Sequence, residues 1–135
     1  MASPQAVLES SLYVKDLDRA VAFYRHVLGL RLIDEFQEGR GAAFMVGPTI
    51  LLLFEAAKTR AKQHFPSHGA EGQGHVAFRV EPSELEDWRR RLKEHKVAIE
   101  KELAFGDQPP SIYFRDPDGN LLELAVAAIW PFEKT

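Results

Sequence analysis

Cysteine is absent from the 135 residues. Disulfides, thiolate nucleophiles and cysteine-ligated zinc sites are therefore excluded. Long apolar runs are also missing, since none approaches the roughly 20 residues that span a bilayer. The first residues, MASPQAV, carry neither the basic nor the apolar region of a signal peptide. A cytoplasmic location is the expectation, with no membrane partner. A large excess of one sign of charge is lacking too, with 17 Lys and Arg against 20 Asp and Glu. A net charge of −3 and a pI near 5.9 give no electrostatic reason to expect nucleic acid. What remains is 45% hydrophobic and 27% charged, the balance of a folded globular chain rather than a disordered one. Its length suits one compact domain, residues 1–135.

Turn residues divide the chain into short elements. Val7–Val14 alternates as a strand, with Leu8, Ser10, Leu12 and Val14 on one parity and Glu9, Ser11 and Tyr13 on the other. A helix follows, capped by Asp16 or Asp18. Its buried stripe is Leu17, Ala20, Val21, Tyr24, Val27 and Leu28, and Gly29 is placed to end it. Three strands come next, over 31–36, 42–46 and 49–55. They are separated by Glu38-Gly39-Arg40-Gly41 and Gly47-Pro48. The stretch 56–74 reads as irregular.

From Gly74 the pattern starts again. A strand over 74–80 leads into a helix with the stripe Leu85, Trp88 and Leu92, and a capping box of Ser83 with Glu86. The run Arg89, Arg90, Arg91 and Lys93 reads as its solvated face. Strands over 97–103, 111–115 and 121–126 complete the unit, the last two joined by Asp116-Pro117-Asp118-Gly119-Asn120. Two β-α-β-β-β units thus follow one another: module one at about 6–56, a linker at about 57–73, module two at about 74–128 and a tail at 129–135. The fold class is α+β, with two paired modules forming a curved, barrel-like mixed sheet. The helices lie outside and the inner faces line a cavity.

Strand parity then selects the side chains that face away from the helices. They are Glu9, Ser11 and Tyr13 in the first strand, and His75, Ala77 and Arg79 in its counterpart. Ser111, Tyr113 and Arg115 follow, and then Glu123, which interrupts an apolar run. Taken alone, Glu123 could be a solvent-facing carboxylate at a strand edge, because a buried one needs a partner or a metal. Glu9, His75 and Glu123 fall on faces that point at one space. Two carboxylates and an imidazole suit a divalent ion such as Zn, Mn, Fe, Ni, Co or Mg. Arg79 could equally pair with an acidic neighbour. His26 and His95 read as surface residues near helix ends. His64 and His68 sit in the long loop, either in solvent or folded over the cavity mouth.

The segments LYVKDLDRAVAFYRHVLGL, GHVAFRV and YFRDPDGNLLEL resemble the vicinal oxygen chelate superfamily. That group includes glyoxalase I, bleomycin- and fosfomycin-resistance proteins and extradiol dioxygenases. The match runs in order over nearly the whole chain. The resemblance implies metal ligands at Glu9, His75 and Glu123, although His or Gln is commoner at the first. The fourth place falls at Leu51 or Leu52, which cannot bind a metal, and Glu55 is a further candidate beyond them. It implies a homodimer, with Trp130-Pro131-Phe132 as a tail at the interface or over the site.

The function expected is that of a metal-dependent glyoxalase- or dioxygenase-like enzyme. Its small substrate would chelate the ion through adjacent oxygens, with Glu123 as ligand and catalytic base. Ser11, Tyr13, Arg79, Ser111 and Tyr113 are the substrate-binding candidates, with His68 beside them. The alternatives are a fosfomycin-resistance-like thiol transferase and a non-catalytic, bleomycin-sequestering dimer. For the former, Leu103 and the 130–132 tail stand where a lysine and an arginine are expected.

Overall fold

The computed structural model describes residues 1–37, 40–61 and 66–132. His64, Glu38 and Gly39, named above for the loop and a turn, lie outside the described residues. The chain divides into two units, Met1–Gly72 and Gln73–Thr135. Each contains one four-stranded mixed sheet with the same connectivity.

The first unit runs β1 (Glu9–Val14), α1 (Leu17–His26), β2 (Arg31–Phe36), β3 (Gly41–Val46), β4 (Thr49–Glu55) and the short α2 (Ala56–Thr59). Its sheet order is β1-β4-β3-β2, with β1 and β4 parallel and the other pairs antiparallel. Asp16 caps α1, its carboxylate accepting from the Arg19 amide at 3.1 Å. Past the helix, Gly29 takes φ +70° and Leu30 N–H closes back on the Tyr24 carbonyl at 3.0 Å. Leu12, Val14, Leu17, Ala20, Tyr24, Phe44, Leu51 and Leu53 make the core between sheet and helix. Leu8 and Ser10 share the parity of Leu12 and Val14, yet both are exposed. The helix cover reaches only the last part of β1. The stretch after β4 also departs from expectation, since it opens with α2 rather than irregular chain.

The second unit runs β5 (His75–Arg79), a 3-10 turn over Pro82–Glu84, α3 (Leu85–Glu94), β6 (Ile99–Leu103), β7 (Ser111–Arg115) and β8 (Leu121–Ala125). Its order is β5-β8-β7-β6, again with one parallel pair, β5 and β8. The capping box is Glu81 with Glu84, not Ser83 with Glu86: the Glu84 carboxylate accepts from the Glu81 amide at 2.8 Å. Pro82 accounts for the shift. It has no N–H and fits the first helical position, so the cap falls on the residue before it. Leu85 and Leu92 are buried while Trp88 is half-buried, with the Arg91 guanidinium 5.2 Å from its ring centroid. The basic face is neutralised locally. Arg89 grips Glu102 of β6 through three contacts between 2.7 and 3.1 Å, and Arg90 meets Asp87 at 2.9 Å. Among the described residues no helix is long and apolar enough to cross a membrane.

Candidate metal and substrate site

The faces read from the sequence are the faces found. In β7, Ile112 and Phe114 are fully buried toward the helix side. Ser111 and Tyr113 lie on the opposite face, in line with Glu123 of β8 and Ala77 of β5, which pair across the sheet as Ala77, Glu123 and Tyr113. This row holds the second unit's candidate chemistry. Glu123 is only 6% exposed. Its Oε1 lies 3.3 Å from Nε2 of His75, and the His75 and Tyr113 rings stack with centroids 6.4 Å apart. Burial, then the Glu123 charge and a hydrogen bond to that carboxylate, raise the Tyr113 phenol above its usual pKa, while Ser111 lowers it slightly. Glu123→Gln removes the charge contribution. The Tyr113 pKa should therefore fall in that variant while staying above the normal phenol value, as read from its ring carbon shift in an alkaline NMR titration.

The His75 tautomer is set by its other ring nitrogen. Nδ1 lies 2.9 Å from the Leu121 carbonyl. A carbonyl oxygen only accepts, so Nδ1 carries the proton. Nε2 then faces an acidic oxygen at 3.3 Å, a separation that needs a proton or a cation between the two atoms. With bonds of about 2.0–2.2 Å to nitrogen and oxygen, neighbouring ligand atoms on one zinc-like ion sit roughly 2.9–3.5 Å apart. The observed separation fits. The Nδ1–carbonyl bond is also the partner that metal-bound histidines use to fix their ring.

Ser111 is fully buried beside the Tyr113 phenol, whose pKa its hydroxyl lowers, and it makes no other hydrogen bond among the described residues. Arg79 is exposed on the same face of β5, also without a partner among them. The acidic neighbour that would have made it structural is therefore not found there.

In the first unit Glu9 is exposed at the start of β1, while Ser11 and Tyr13 are half-buried on its face. The Tyr13 hydroxyl and His68 Nδ1 share a hydrogen bond of 2.8 Å, and the His68 ring meets Phe54 edge-on at 4.9 Å. The loop histidine thus rests on the sheet face that carries Glu9 and Ser11. Nothing in the spacing of residues 13 and 68 signals this contact. Glu55 has a different task. Its Oε2 accepts from the Leu17 amide at 3.0 Å, and it pairs with Val14 on the helix side, away from the face of Glu9.

Strand register resolves the choice between Leu51 and Leu52. Glu9 pairs with Ile50 and Ser11 with Leu52, whereas His75 pairs with Leu121 and Ala77 with Glu123. Leu52 is therefore the counterpart of Glu123, and it offers no donor. Among the described residues no three His, Cys, Asp or Glu side chains form a group able to hold a metal ion. His75 and Glu123 are the two members of the expected set that one unit brings together by itself.

The glyoxalase/bleomycin resistance protein/dioxygenase superfamily model matches residues 6–124. The chain belongs to that superfamily. It is 31% identical over 125 residues to the glutathione transferase FosA of Serratia marcescens, covering 93% of this chain and 83% of the relative. To the metallothiol transferase FosB of Shouchella clausii it is 34% identical over 115 residues, covering 82% and 73%. The crystal structure of lactoylglutathione lyase from Agrobacterium tumefaciens superposes with a TM-score of 0.89 at 34% identity. That alignment covers 96% of this chain and 98% of the other.

Proposed function

We propose that the chain is a metal-dependent enzyme that acts on a small substrate with adjacent oxygen donors, within one domain built from both modules. The observation that carries this reading is His75: its Nδ1 is committed to a carbonyl while Nε2 faces the buried Glu123 carboxylate at 3.3 Å. His75 and Glu123 would hold a divalent ion here, and Glu9 is the third ligand that the family resemblance implies. When bound, the ion supplies Lewis-acid polarisation of the substrate oxygens. The protein's own groups do the rest. Glu123 accepts a proton from the substrate. Tyr113, its phenol raised above the usual pKa by burial and by Glu123, donates its hydrogen bond to that carboxylate and so orients it. Ser111 offers a buried hydroxyl beside Tyr113, and Arg79 offers an exposed guanidinium, without a partner among the described residues, for an anionic group. Ser11, Tyr13 and His68, which share one face of the first unit's sheet, are that module's proposed substrate contacts.

A second reading is equally well supported, that of a thiol transferase resembling the fosfomycin-resistance enzymes. FosA and FosB are named as thiol-using transferases, and the lyase structure is named for a glutathione thioester. This chain has no cysteine, so any thiol comes as a cosubstrate. Its sulfur would bond to an epoxide carbon as that carbon's bond to oxygen breaks, with a proton passing to the oxygen. Ser111 and Tyr113 would contact the anionic group of such a substrate. Homodimerisation is part of the proposal, and the exposed Trp130 side chain is available to it.

The test is to load the protein with each divalent metal in turn. One assay follows isomerisation of a glutathione adduct of an α-oxoaldehyde, and another follows thiol addition to an epoxyphosphonate. Turnover in one assay, abolished by chelation and restored by metal, selects between the readings. Unchanged ligand binding after chelation, with no turnover in either, favours a sequestering protein instead.

A further inference from the structure

We infer that Asn120 is a positioning residue for His75, fixing which ring nitrogen faces Glu123. The inference rests on the reading of His75 as a metal ligand. It goes beyond that reading by assigning the tautomer to Asn120, which holds Gly74 across 46 residues of chain.

The contacts form a closed set between two dipeptides, Gly74-His75 and Asn120-Leu121. Gly74 N–H donates to Asn120 Oδ1 at 2.7 Å, and Leu121 N–H donates to the Gly74 carbonyl at 2.9 Å. Both polar groups of Gly74 are thereby held just before β5 begins. The Leu121 carbonyl then accepts from His75 Nδ1. Leu121 spends its N–H and its carbonyl on the same two residues. Two positions on, the same strand carries Glu123. A short rigid span therefore fixes both the His75 ring and the carboxylate it faces.

Asn120 is itself locked. It is 1% exposed, and its Nδ2 donates to Asp116 Oδ2 at 2.9 Å. Asp116 Oδ1 accepts from the amides of Asp118 and Asn120, both at 2.9 Å. Gly119 takes φ +83° in this turn, and a Cβ there would come within 2.5 Å of the Gln73 side chain. The Asp116 carboxylate orients the Asn120 amide so that its oxygen, not its nitrogen, meets Gly74. A side chain without that amide leaves the Gly74 N–H without its buried acceptor and lets the β5 entry drift away from Leu121. Imidazole freed from the Leu121 carbonyl then also populates the form protonated at Nε2, which turns a donor rather than a lone pair toward Glu123.

The test compares wild type with Asn120→Ser and, should that variant not fold, with Asp116→Asn, which disturbs the same amide. Two readouts are taken on folded protein: the His75 tautomer by nitrogen–proton correlation NMR without metal, and divalent ion affinity by calorimetry. Wild type should show the Nδ1-protonated form. The variant should show a mixture and a Kd weakened about 10- to 100-fold, the usual effect of losing an outer-shell partner. A variant that keeps both the wild-type tautomer and an affinity within about twofold, even with a lower melting temperature, overturns the inference and leaves Asn120 a purely structural residue. A wild type that binds no divalent ion defeats the metal reading instead. The tautomer comparison then still decides whether Asn120 positions His75.

Discussion

Glu123→Gln should weaken divalent ion binding by at least about 100-fold, the upper end of what even an outer-shell change costs. The substitution keeps the shape of the side chain and removes its charge. A neutral amide oxygen is a poor replacement for a carboxylate on a divalent ion, and the cation loses its charge-compensating partner as well. The same change should leave the stability of the metal-free protein nearly unaltered. Breaking a buried ion pair is severe when it strands a charge away from water, but the His75 side chain is 48% exposed and water can solvate it. Isothermal titration and urea denaturation on the same samples separate the two effects. A variant that unfolds readily yet binds metal normally would show that Glu123 is a structural carboxylate.

Phe114→Ala should remove about 3–5 kcal/mol of stability. Phe114 is fully buried and pairs with Leu122 and Ile99 on the helix side of the second sheet. A small domain has only about 5–15 kcal/mol in total, so the loss is a large fraction. Tyr113→Phe, one residue away, should cost about 1 kcal/mol or less, because only a hydrogen bond is lost and the ring stays half-buried. Its consequence should fall on substrate binding. Equilibrium unfolding in urea measures both. Similar large losses at the two positions would contradict the division of β7 into a core face and a site face.

That division was legible in the sequence. Alternation placed Ile112 and Phe114 opposite Ser111 and Tyr113, and turn chemistry at Gly47-Pro48 and Asp116–Asn120 set the strand limits closely. The repeat was legible because both units use the same order of short periodic elements. What the sequence hid depends on pairing between distant segments. Register was needed to choose Leu52 over Leu51 as the counterpart of Glu123. The Asn120–Gly74 bond and the Tyr13–His68 contact join residues dozens of positions apart, and neither leaves a periodic trace. The cap at Glu81 was missed for a local reason: Pro82 looked like the residue before the helix when it opens the 3-10 turn that leads into it. Glu55 was a candidate only because it lies beyond the fourth ligand place implied by the family resemblance, and its parity with Val14 sends it to the Leu17 amide instead.

The central claim is that His75 and Glu123 form the core of a divalent metal site. Elemental analysis of the purified protein after loading with each candidate metal and desalting tests it most directly, with His75→Ala prepared in parallel. The account predicts about one tightly held divalent ion per chain in the wild type and loss of that ion from the variant. A wild-type protein that retains none of the metals, or a His75→Ala protein that retains the same amount, would contradict it.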